Sequence, residues 1–178
     1  MARTYAKIEV GIWHNDDFRA LSTPAQHLYF TLVTDPEISY AGVTDWRPNR
    51  LSGKAGAWPV ALIESAAYEL ITAHFVLICE STEEALVRTF VRHDGALKNA
   101  KLSVSVANAV GSIASNELRS VVVSEMQKAK KDHPDWTAWG NDSVRSVLRR
   151  KAVDVADMDL FGADLAPAMG RQFGGDDD

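Results

Sequence analysis

The chain of 178 residues has a single cysteine, Cys79, so no intramolecular disulfide can form, and the setting expected is the reducing cytoplasm. No run approaches the roughly 18 uninterrupted apolar residues of a membrane-spanning helix. The opening residues MARTYAKIEVGIW lack the apolar core and small-residue cleavage site of a signal peptide. The phosphate-cradling patterns GxxxxGK followed by Ser or Thr, and GxGxxG, are missing, and so are HExxH, CxxC and GxSxG. The histidines at 14, 27, 74, 93 and 133 are scattered, and His93-Asp94 has no nucleophile beside it. The expectation is a protein that is not an enzyme and uses no cofactor or metal.

Charge is unevenly distributed. The net charge is −5. Residues 1–99 carry 9 Lys and Arg against 12 Asp and Glu, residues 100–150 carry 8 against 5, and residues 151–178 carry 2 against 7. A basic block is therefore flanked by acidic parts. Any nucleic-acid partner needs a local basic face, because the bulk charge repels it.

Elements follow from periodicity and punctuation. Thr23, Pro24 and Gln26 start a helix, with Thr23 as cap, and Ala25, Leu28, Tyr29 and Leu32 form its apolar face before Asp35-Pro36 ends it. A short extended piece around 40–46 leads to a helix from Pro48 to about Ala55, stopped by Gly56. Pro59 opens a third helix, in which Val60, Ile63, Ala67, Leu70 and Ile71 share a face. The runs FVLIC (75–79) and ALVRTFV (85–91), joined by ESTEE, read as a hairpin. Helix, strand, helix, turn, helix, hairpin is the order of a winged helix.

Helices are expected again at about 100–110 and 116–131, the latter with Leu118, Val121, Val122, Met126 and Ala129 inward, and Asp142 caps a last short one. Residues 153–178, rich in Asp, Gly and Ala, read as disordered. The expected fold class is mainly α with a small β-hairpin wing (α+β): a winged helix-turn-helix at 1–99, a helical extension at 100–152 and an acidic tail at 153–178.

Three segments carry a family resemblance: IWHNDDFRALSTPAQHLYFTL (12–32), GVTDWRPNRLSGKAG (42–56) and FVRHDGALKN (90–99). Over about residues 8–100 the chain resembles the N-terminal winged-helix domain of bacterial and phage replication initiators of the replisome-organiser type. HPDWTAW (133–139) is similar to the segment that follows the wing in phage members. The resemblance implies binding of double-stranded DNA at an origin and recruitment of replication proteins. One departure stands out. The third helix, which would enter the major groove, carries Glu64 and Glu69 and no Lys or Arg.

The candidate DNA contacts are Arg47, Asn49, Arg50 and Lys54 around the second helix, Arg88 and Arg92 at the wing, and Lys98 and Lys101 beyond it. A second basic group comprises Lys128, Lys130 and Lys131 with Arg145, Arg149, Arg150 and Lys151, free to bind DNA or to be silenced by the acidic tail. In the tail, Asp157-Met158-Asp159-Leu160-Phe161 resembles the pentapeptide by which bacterial proteins dock on the sliding clamp, with Asp157 where Gln is usual. Met158, Asp159, Leu160 and Phe161 are thus the candidate partner contacts. The same segment fails as a calcium loop, because Phe161 and Ala168 stand where oxygen ligands are needed. A transcriptional regulator on the same fold, and an adaptor or inhibitor using the winged helix as a protein-docking surface, are the alternatives.

Overall fold

In a computed structural model, residues 5–158 and 160 are described; residues 1–4, 159 and 161–178 lie outside the description. The described chain is mainly helical with a three-stranded antiparallel sheet. Its helices are α1 (Asp16–Ala20), α2 (Thr23–Val33), α3 (Pro48–Leu51), α4 (Val60–Thr72), α5 (Phe90–His93), α6 (Ala100–Ser112), α7 (Asn116–Asp132) and α8 (Asp142–Leu148). The strands are β1 (Val43–Asp45), β2 (Val76–Cys79) and β3 (Glu84–Val87), in the order β1-β3-β2. Val43 pairs with Leu86 on one side of β3, and Leu77 pairs with Leu86 on the other.

Local chemistry accounts for the helix boundaries, with small departures from expectation. Ser22, not Thr23, caps α2, its Oγ accepting from the Ala25 N–H at 3.3 Å. Gln26 turns away from that cap and donates to the carbonyls of Phe18 and Leu21. Asn141, not Asp142, caps α8. The second helix closes early, at Leu51, and continues as a 3₁₀ turn over Ser52–Lys54.

The hairpin is shorter than its apolar run. Strand β3 stops at Val87, and Phe90–His93 is the helix α5, so residues 90 and 91 pack inward from a helix. Gly42 marks where the pairing with β1 stops. Its carbonyl accepts the last bond on the β1 side, from the Val87 N–H at 2.9 Å, and there φ is +84°. A Cβ at this position would stand 2.6 Å from the Phe90 Cβ and 3.0 Å from the Val87 carbonyl oxygen, so only glycine fits.

One hydrophobic cluster runs from Ala25 to Leu160. Helices α2 and α4 pack together, and the α4 face formed by Ile63, Ala67, Leu70 and Ile71 is fully buried. A buried Leu or Ile stabilises by about 1.5–3 kcal/mol relative to exposure. All four β2 residues are buried, because α4 also packs against β2 and α7 against the same strand. A strand covered on both faces is apolar throughout rather than alternating, which is the pattern of FVLIC. Helix α7 runs beside β3 in the same direction: Glu84 meets its start, Arg88 its middle and Arg92 its end.

The start of the acidic tail is not disordered. Val155 and Leu160 are buried, Val155–Asp157 forms a 3₁₀ turn, and Asp154 pairs with Lys128 at 2.8 Å. Two apolar anchors and one ion pair outweigh the acidic composition that suggested disorder.

Candidate nucleic-acid interface

The solvent-facing stripe of α4 consists of Ala61, Leu62, Ser65, Tyr68 and Thr72. It is uncharged. Glu69 takes no part in it, because its carboxylate reaches across to α2: Ser22 donates to it through both its backbone N–H, at 3.0 Å, and its hydroxyl, at 2.7 Å. One of the two acids that set this helix apart is therefore an internal tie between helix ends. Glu64 is half-buried at the edge of the stripe.

Arg47, Arg50 and Lys54 sit together around α3, but carboxylates share the site. Arg47 lies 3.1 Å from Glu83 and 3.6 Å from Asp45, Arg50 lies 3.6 Å from the same Asp45, and Lys54 lies 2.6 Å from Asp35. Exposed ion pairs of this kind are worth about 0–1 kcal/mol each. A phosphate can compete for the arginines, since the Arg50 side chain remains 71% exposed. Asn49 is exposed at the first turn.

The residues expected at a wing are arranged differently. The turn between β2 and β3 is Glu80, Ser81, Thr82 and Glu83, with no cation. Arg88 and Arg92 lie past the strand and point at the buried carboxylate of Glu125, at 3.0 and 3.3 Å. Arg92 also pairs with Asp132 at 2.9 Å, and Arg88 donates to the His74 carbonyl. These two arginines join the base of the β2–β3 hairpin to α7. Lys98 stands 5.3 Å over the ring of Trp136, which is parallel to His133, and Lys101 is exposed in the first turn of α6.

Glu125 was not foreseen, although its signal was present. It falls in the Val121, Val122, Met126, Ala129 stripe, where a lone acid implies cations close by. Lys128 is the third, at 3.1 Å, and it bridges to Asp154. Burial works against its charge, yet the hydrogen bonds it donates to Asp154 and Glu125 prevail and hold the Lys128 ammonium above the usual lysine range. Asp154 is correspondingly held low by its bond to Lys128 and by the Ala156 N–H. The base of the tail thus silences one lysine. Lys130, Lys131, Arg149, Arg150 and Lys151 remain exposed.

Of the clamp-like pentapeptide, Met158 is half-buried and Leu160 is 6% exposed against the core, while Asp159 and Phe161 lie outside the described residues. Among the described residues no group of His, Cys, Asp and Glu could hold a metal, and no helix is long and apolar enough to cross a membrane. No family model matches this chain, and no curated protein or solved structure matches it either.

Proposed function

We propose that the chain is a winged-helix protein that binds double-stranded DNA, with α4 in the major groove and α3 on the adjacent backbone, in a role of the replication-initiator type. The observation carrying the DNA reading is the uncharged outer stripe of α4, on a frame ordered α2, β1, α3, α4, β2, β3. Ser, Thr and Tyr hydroxyls can bond base edges, and Ala and Leu can pack on thymine methyl groups. With Glu69 held by Ser22, a single half-buried acid is left at this surface. Arg47, Arg50 and Lys54 would orient the protein through phosphates, which positions without specifying sequence. The replication role rests on the resemblance of residues 12–32, 42–56, 90–99 and 133–139 alone. Clamp docking is not part of the proposal, because Leu160 is committed to this chain's own core.

The test is duplex affinity across a salt series by fluorescence anisotropy. Each phosphate neutralised contributes about −0.9 to the slope of log K against log salt. The variant Arg47→Ala, Arg50→Ala, Lys54→Ala is expected to flatten that slope by about 2 to 3. It also leaves Asp45 and Glu83 facing the DNA uncompensated, so its affinity should fall further than the lost contacts alone imply. A slope unchanged from wild type moves the DNA away from α3.

A protein-docking role is the second reading, favoured by the exposure of Leu62 and Tyr68, at 40% and 43%, on the same stripe. An absence of duplex binding at low salt would support it over DNA.

A further inference from the structure

A hairpin beside a groove-bound helix lies against the flanking DNA backbone, and here its turn offers Glu80 and Glu83 where phosphate would need cations. The hairpin is nevertheless joined to a basic surface. Glu84, the first residue of β3, accepts from the backbone N–H groups of Ala114 and Ser115, both at 2.8 Å, and so fixes the start of α7 to the wing. One turn further on, a groove of about 540 Å³ is lined by Asn116, Arg119, Ser120, Arg150 and Lys151, with Met158 at its edge.

The groove brings together three cations and one acid, Glu117, whose carboxylate accepts from the Ser115 hydroxyl at 3.1 Å. Arg119 is anchored by the carbonyl of Ile113 and by Asn116, and its Nε is buried without a hydrogen-bond partner. Arg150 and Lys151 are exposed and make no ion pair with another described residue, unlike Arg47, Arg50 and Lys54. The backbone carrying them is fixed at both ends: the Arg150 N–H donates to Val147 at 2.9 Å, and the Val153 N–H donates to Ser120 on α7 at 3.2 Å.

We infer that this groove is a binding site for nucleic-acid phosphate, and that Arg119, Arg150 and Lys151 hold the DNA backbone flanking the segment read by α4. The inference rests on the DNA-binding reading and adds a second contact surface to it. The helical extension supplies the positive charge that the wing turn lacks. A guanidinium at Arg150 can grip a phosphate in bidentate fashion, and Lys151 adds a point charge beside it.

The test compares the full chain with its Arg150→Gln, Lys151→Gln variant on two duplexes, one of about one helical turn and one of about two and a half turns. Both substitutions are on exposed side chains, and an unchanged melting temperature checks the fold. On the longer duplex the variant should bind about tenfold more weakly, with the salt slope flattened by about 2. On the short duplex, centred on the α4 contact, it should match wild type. Wild-type affinity and slope on the longer duplex would overturn the inference while leaving the DNA reading intact. Equal losses on both duplexes would overturn the flanking location. No binding of either duplex by the wild-type chain would overturn the DNA reading and this inference together.

Discussion

Glu125→Gln is expected to lower the unfolding free energy by about 3 kcal/mol, the low end for breaking a buried ion pair. Glu125 is fully buried, with Arg88, Arg92 and Lys128 within 3.0 to 3.3 Å. Glutamine keeps the volume but removes the charge and turns an amide N–H₂ toward cations. Arg92 and Lys128 retain Asp132 and Asp154, which limits the loss. Arg88 keeps only the His74 carbonyl among its hydrogen bonds described above. For a chain of this size 3 kcal/mol corresponds to a fall of about 6–12 °C in melting temperature, readable by calorimetry. An unchanged melting temperature would mean that the cluster does not hold the hairpin to α7. The same variant also tests the two arginines as DNA contacts. If they bind phosphate, releasing them from Glu125 raises duplex affinity; if their work is internal, affinity in the folded protein stays at the wild-type value.

Ser65→Glu should reduce duplex affinity by about ten- to a hundredfold, because a carboxylate set against DNA costs on the order of 1–3 kcal/mol. Ser65 is exposed at mid-helix in α4, in line with Ala61, Tyr68 and Thr72. Glutamate is a better helix former than serine, so the variant should fold as well as wild type. Asn108→Glu, on the exposed side of α6, adds the same charge away from the stripe and is expected to leave affinity nearly unchanged. Equal, small effects from both variants would show bulk charge alone at work, and would remove α4 from the DNA.

The elements of this chain were legible where the signal is local. Proline at positions 24, 48 and 59 marks three helix starts within a residue or so of where they occur. The continuous run FVLIC announces a strand, and it is apolar throughout because helices cover both its faces. The length of the hairpin was not legible, since Phe90 and Val91 are as apolar as a strand requires. Where β1 gives out, Gly42, far back in the chain, leaves room for the Phe90 side chain, which turns inward from α5.

The site divides along the same line. The spacing of Arg47, Arg50 and Lys54 places them around α3 and the 3₁₀ turn after it, yet Glu83, which shares Arg47, arrives from 36 residues away. Glu69 reads as a groove-facing acid until its partner is known, and that partner, Ser22, is 47 residues distant. Arg88 and Arg92 read as wing cations because Glu125 belongs to a helix that local pattern cannot bring to them. Tail residues 154–158 and 160 read as disordered from their acidic composition, whereas two apolar side chains, Val155 and Leu160, hold them against the core.

Strand β3 is fastened at both ends to one rigid helix, by Glu84 to the start of α7 and by the neighbouring Arg88 to its middle. A hairpin held in this way is already ordered before any ligand arrives, so little loop entropy is lost if it is engaged. Recognition by this face should therefore resemble the docking of two finished shapes, with encounter set by diffusion and charge rather than by a slow rearrangement. If the partner is the duplex proposed above, any bending needed for a close fit falls to the DNA, and sequences that deform easily would be favoured.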